Sequence, residues 1–175
     1  MYKEVGISSN NVPITLSIWY TERSCPTIVF LPGTMSHPLM YENFLSGLCE
    51  RGFNIIGVHY LSHGKSPKIK MNYTMEDLLY NVYDATTYGM ENYGDNIAVM
   101  GSSQGGILAA MAAGRDTRLK AVFPHNIMLT TLKETMNLTK YPAWTHRFMG
   151  LIQWGFRVGG KLLPNYKVPG DAYLD

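Results

Sequence analysis

Four short runs of almost unbroken apolar residues constrain the fold of this chain more than any other feature. They read "TIVFLPG" (27–33), "FNIIGVHY" (53–60), "NIAVMG" (96–101) and "KAVFPH" (120–125). Runs this short, apolar at successive positions, suit strands buried on both faces rather than half-exposed ones. The stretches between them have a helical period. "PLMYENFLSGLCERG" (38–52) spaces Met40, Phe44, Leu45 and Leu48 for one helix face and stops at Gly52, a good C-terminal glycine. "TMEDLLYNVYDATTYGMENYG" (74–94) opens with Thr74 as N-cap and Asp77 three residues on, then repeats Leu78, Leu79, Val82 and Ala85. Residues 104–114, rich in Gly, Ala, Leu and Met, suit a buried helix. Strand alternating with helix predicts a mainly parallel central sheet covered on both faces, a three-layer α/β/α sandwich. Ahead of these, "ITLSIWY" (14–20) alternates in the manner of a half-exposed strand and is expected at the sheet edge.

Composition narrows the function. The 175 residues are 46% hydrophobic, enough for a single core, and only 16% charged with a net charge of +2. The lysines are scattered singly, so no basic patch for nucleic acid is expected. No apolar stretch reaches the roughly 18 residues that span a bilayer, and "MYKEVGISSNN" lacks the apolar segment of a signal peptide. The expectation is a soluble cytoplasmic protein. Cys25 and Cys49 have no metal-ligand spacing and are expected to be reduced thiols. Neither a metal nor a cofactor is implied, and the oligomeric state is open.

The chemistry is carried by "AVMGSSQGGILAAMAAG" (98–114), where Ser103 lies between Gly101 and Gly105. With 17 glycines in the chain, a bare Gly-x-Ser-x-Gly pentad is a weak signal. Its setting is specific: it follows an apolar run and precedes a small-residue helix, the strand-turn-helix context of a nucleophile elbow. That turn lifts a serine hydroxyl above the sheet beside the free N–H groups of a helix start. It is tight enough that side chains two before and two after the serine would meet neighbouring backbone, which glycine avoids. Gly101 and Gly105 occupy those positions, and Gly106 adds room. Acyl transfer also needs two converging N–H donors, one after the nucleophile and one on a loop after an earlier central strand. Gln104 and Thr34, just past "FLPG", are the candidates for that oxyanion hole. A glycine turn without chemistry is the bland alternative for each motif.

Residues 14–125 resemble the first half of an α/β-hydrolase-fold serine hydrolase. Within that family they are most similar to the lysophospholipase, monoglyceride lipase and carboxylesterase-like branch. The matching residues are "FLPGTM" for the oxyanion loop, "HYLSHGKS" for the family's Asp-x-x-Gly-His-Gly-x-Ser stretch, "YTMEDLLYNV" for the helix before the elbow, and "GSSQGG" for the elbow. Two departures stand out. Pro32 replaces the usual histidine before the loop glycine, and His59 and Ser62 replace the usual Asp and Gly of the second stretch. Both are read as subfamily drift at structural positions.

The resemblance implies a triad in the order Ser, acid, His, with acid and base on late loops beyond a lid. It carries over neither residue here. His37, just past the oxyanion loop, and His125, at the end of the strand after the elbow helix, are candidates for the pocket wall. Asn126 and Ile127 offer His125 no carboxylate partner. His63 belongs to the structural His-Gly pair, His146 lies in a lid-like helix, and Asp171 and Asp175 lie in a solvated tail. The expected division is an N-terminal part of the core over residues 1–129 and the start of a helical lid over 130–175. That second stretch is helical in pattern, broken at Pro142, Gly159-Gly160 and Pro164, and its "FMGLIQWGF" offers apolar surface to an acyl chain. The chain is then either the N-terminal part of a longer hydrolase of roughly 250 to 300 residues or a short natural protein with incomplete chemistry. The first is preferred, because the apolar helices after residue 140 would otherwise be half covered. The expected activity is hydrolysis of a small-molecule carboxylic ester, with lipid-like or medium-chain acyl groups favoured. A non-catalytic binding protein, or an amidase, peptidase or acyltransferase of the same fold, remains the alternative.

Overall fold

The computed structural model describes residues 1–69 and 73–127 and, as isolated helical positions, 151, 154 and 158. The stretch Met1–Ile127 forms one compact unit. The expected division at residues 129 and 130, the rest of the lid, His146, Asp171 and Asp175 lie outside the described residues.

Six strands form one sheet in the order β1-β2-β4-β3-β5-β6: β1 Tyr2–Ser9, β2 Val12–Trp19, β3 Thr27–Leu31, β4 Asn54–His59, β5 Ile97–Ser102 and β6 Ala121–His125. The four apolar runs become the parallel block β4-β3-β5-β6, while β1 and β2 join it antiparallel. The first turn of the helical stretch predicted over 38–52 is a short 3-10 segment, Pro38–Tyr41, and only then does α1, Glu42–Glu50, begin. Helices α2, Met75–Tyr93, and α3, Gln104–Arg115, follow β4 and β5.

One sequence expectation is corrected. "ITLSIWY" is not at the edge: β2 is second in the sheet, hydrogen-bonded on one side to β4 and on the other to β1. Strand β1 forms because Asn10 and Asn11 both take positive φ, 47° and 62°, in the two-residue turn whose twist matches a hairpin. Its Val5 and Ile7 then pack on the core beside Ile14, Leu16 and Ile18.

The alternation of side chains along each strand divides the core. Val29, Leu31, Ile56, Val58, Ile97 and Val99 face α2 and α3, where Leu78, Leu79, Val82 and Leu108 are fully buried. Ile28, Phe30 and Ile55 face α1 through Leu45. Thr74 caps α2 as predicted: its hydroxyl accepts from the Asp77 N–H while the Asp77 carboxylate accepts from the Thr74 N–H at 2.7 Å. Asn54, buried at the start of β4, holds the connection before β3. It accepts from the Thr21 N–H at 3.0 Å and donates to the carbonyls of Glu22 and Cys25 at 2.7 and 3.2 Å. Cys25 and Cys49 are free thiols. Among the described residues no helix is long and apolar enough to cross a membrane.

Candidate active site

Strands β3, β5 and β6 all end at one edge of the sheet, and the candidate residues gather there. Ser103 sits between the last residue of β5 and the first of α3, with φ 53° and ψ −117°. A positive φ is costly for a residue with a Cβ, on the order of 1–3 kcal/mol, and persists only where the surroundings enforce it. Here they do. The Ser103 N–H donates to the His125 carbonyl at 3.0 Å, and its own carbonyl accepts from the Ile107 N–H at 3.2 Å, starting the helix. The hydroxyl-bearing side chain is left exposed.

Contact with neighbouring atoms leaves the flanking glycines no room for a side chain. A Cβ on Gly101 would collide with the carbonyl of Gly105, one on Gly105 with the carbonyl of Leu31, and one on Gly106 with the side chain of Ile127. Gly105 thus seats the first turn of α3 directly on the end of β3. That contact brings the oxyanion-loop candidate to the serine: a Cβ placed on Gly33 would lie 3.4 Å from Ser103 Cβ. Thr34 is next in the chain. Among the described residues neither the Thr34 nor the Gln104 N–H has an acceptor, and Gln104, first in α3, has no intrahelical one. The Gln104 side chain turns away, its Nε2 3.6 Å from Met75 Sδ.

The described histidines take other duties. His125 lies opposite Ser102 in the β5–β6 register, and what it gives the elbow is its backbone carbonyl. Its side chain lines a cavity of about 610 Å³ together with Phe30, Tyr41, Phe44, Met100 and Phe123. His37 stacks on His59, ring centres 5.8 Å apart and 17° from parallel. Burial, then the positive charge of Lys65, lowers the pKa of His37. Both ring nitrogens of His63 are engaged, Nδ1 with the Leu61 carbonyl at 2.9 Å and Nε2 with the Tyr73 hydroxyl at 3.1 Å. No described histidine is hydrogen-bonded to the Ser103 hydroxyl.

His59, read from the sequence only as drift from the usual aspartate, organises the neighbouring loop. It is fully buried. Its Nδ1 accepts from the Lys65 N–H at 3.0 Å, which leaves the ring proton on Nε2, donated to Ser17 Oγ at 2.9 Å. Burial is the main cause that lowers its pKa to about 4, with the charges of His37 and Lys65 adding and Glu4 opposing. Ser62, where the resemblance stretch usually has glycine, takes the left-handed φ of 62° that glycine would favour. Gly64, at φ 51°, has no room for a Cβ against the His59 and His37 rings. The signal for His59 was present: a titratable residue closing the run "IIGVH" must be neutral or paired if that run is a buried strand.

The sheet order and the strained strand-to-helix junction beside a strand-end loop define the fold of an α/β hydrolase. Residues 26–156 match the family described as alpha/beta hydrolase fold, and the chain belongs to that family. Among solved structures it is similar to the esterase Pf2001 of Pyrococcus furiosus, at 20% identity and a TM-score of 0.65, over 86% of this chain and 59% of that one. It is also similar to the α/β hydrolase GrgF from Penicillium sp. sh18, at 19% identity and a TM-score of 0.65, over 70% of this chain and 44% of that one. A thioesterase domain from the curacin biosynthetic pathway aligns at 17% identity and a TM-score of 0.66, over 88% and 52%. The chain thus spans about half the length of these structures. No curated protein sequence matches it significantly.

Proposed function

We propose that this chain carries the nucleophile and oxyanion hole of a serine hydrolase acting on carboxylic esters. The observation that carries the reading is Ser103 itself, strained at φ 53° in an exposed position beside the N–H groups of Gln104 and Thr34, which have no acceptor among the described residues. Ser103 Oγ attacks the ester carbonyl carbon, the carbonyl oxygen becomes an oxyanion held by those two N–H groups, and the alcohol leaves with a proton to give an acyl-enzyme. Water then attacks the acyl carbon, releasing the acid and restoring the serine. The histidine that relays the proton and the carboxylate that orients it come from outside the described residues. The apolar cavity walled by Phe30, Phe44, Met100 and Phe123, on the α1 face of the sheet and reaching Ser102 and His125 at the ends of β5 and β6, favours an apolar acyl group. That agrees with a lysophospholipase-, monoglyceride lipase- or carboxylesterase-like substrate.

The test is hydrolysis of p-nitrophenyl esters from acetate to decanoate by the protein at its full natural length, beside Ser103→Ala. Loss of kcat/KM by about a thousandfold or more in Ser103→Ala supports the reading. Turnover that survives the substitution, or none in the wild type with esters, thioesters or amides, refutes it in favour of a binding protein.

A further inference from the structure

The peptide bond that presents the Thr34 N–H is gripped by its other end. The Gly33 carbonyl accepts twice from Ser36, from its N–H at 3.3 Å and from its hydroxyl at 2.9 Å. Gly33 and Ser36 are both buried. Met35, at φ 59°, makes the tight reversal that brings Ser36 back over Gly33. One residue earlier the Pro32 carbonyl accepts from the buried Tyr60 hydroxyl at 3.2 Å. Two successive peptide planes are therefore tied down by carbonyl contacts from Ser36 and Tyr60.

Planarity turns this into a statement about the donor. In a trans peptide the C=O and N–H point in opposite directions and rotate together. Fixing the Gly33 carbonyl fixes the Thr34 N–H, which is left aimed away from Ser36. The backbone bond from Ser36 is the longer of the two, so the hydroxyl is the stronger anchor. Without it, the buried Gly33 carbonyl keeps one long bond, and the plane can turn to find a better partner.

Resting on the Ser103 reading above, we infer that Ser36 is a positioning residue for the oxyanion hole: its hydroxyl sets the direction of the Thr34 N–H without touching substrate. The experiment compares wild type, Ser36→Ala, Ser36→Thr and the control Ser46→Ala at full natural length. Ser46 makes a similar bond, to the Asn43 carbonyl at 3.3 Å, on the exposed face of α1. The first readout is the rate of phosphonylation by an alkyl fluorophosphonate: Ser103 Oγ bonds to phosphorus, fluoride leaves and the serine proton passes to the medium, with the phosphoryl oxygen in the hole. The expected result is a maximal rate lowered about tenfold or more in Ser36→Ala, with the concentration for half-maximal rate unchanged. Ser36→Thr recovers most of the rate and Ser46→Ala loses none. Equal rates in wild type and Ser36→Ala overturn the inference and leave the Ser103 reading standing. The second readout is the Thr34 amide signal by NMR, expected to shift in Ser36→Ala and return in Ser36→Thr. If the wild type takes no label at Ser103, that reading fails on its own, and the amide signal alone decides for Ser36: an unmoved signal overturns the inference.

Discussion

Acidification should weaken this fold, and the largest part of the effect follows from His59. The ring is neutral in the folded protein because its Nδ1 must accept from the Lys65 N–H while Nε2 donates to Ser17. Protonating Nδ1 would set two donors against each other. The groups facing the ring are the stacked His37, Lys65 and, more distantly, Glu4; the first two oppose a positive charge and the last favours it. With its folded pKa lowered to about 4 from an ordinary 6.5, His59 binds a proton in the unfolded chain first as pH falls. Its neutral, hydrogen-bonded state costs nothing above about pH 6.5; stability is lost progressively below that and the loss levels off below pH 4. The whole loss is about 3 kcal/mol, and about 2 kcal/mol of it falls between pH 7 and pH 5. Urea unfolding of the wild type at pH 7, 6, 5.5 and 5, beside His59→Gln, measures it directly. The variant keeps a donor toward Ser17 and has no titrating ring, so its profile should be flatter than the wild type's by about 1 kcal/mol per pH unit near pH 5. His37 remains in both proteins and its lowered pKa adds a slope of the same sign. Parallel profiles, or a wild type equally stable at pH 7 and pH 5, would refute the reasoning.

Other perturbations test the elements that build the site. Gly105→Ala drives a methyl into the Leu31 carbonyl and should cost about 3 kcal/mol or more, read as lost soluble yield and a lower urea midpoint. Gly114→Ala on the same helix meets nothing within 4 Å and should raise stability by about 0.5 kcal/mol, read as a higher urea midpoint. Asn54→Ala strands the Thr21 N–H and the Glu22 and Cys25 carbonyls together, and calorimetry should register a loss of about 3 kcal/mol.

What could be read from the sequence depended on whether the information was local. Strands β3 and β4 announce themselves by apolar runs because every position in them is buried, and α2 by Thr74 and Asp77 because capping leaves a mark at fixed spacing; β6 carries an apolar run too, although four of its five residues are exposed. The elbow left a local mark, the Gly-x-Ser-x-Gly spacing, although only Gly101 answers to a near neighbour, the Gly105 carbonyl; Gly105 is packed on the Leu31 carbonyl and Ser103 is held by that of His125. Strand β1 was missed because Val5 and Ile7 are only partly buried and its place depends on pairing with β2; the Asn10-Asn11 turn was the available cue. That same pairing moved β2 in from the edge. His59 looked like drift from an aspartate, since nothing local says that Ser17, 42 residues away, supplies its partner. Ser36 and Tyr60 were likewise silent, because backbone carbonyls as acceptors leave no residue-type signature.

The proposed chemistry requires the elbow to present Ser103, and not its neighbour Ser102, as the nucleophile. The most direct measurement treats the protein at full natural length with a fluorophosphonate, digests it and locates the adduct by fragment-ion mass spectrometry within residues 96–115. The expected result is a phosphonyl group on Ser103 alone, absent from Ser103→Ala. An adduct on Ser102, or labelling that persists in Ser103→Ala, would contradict it.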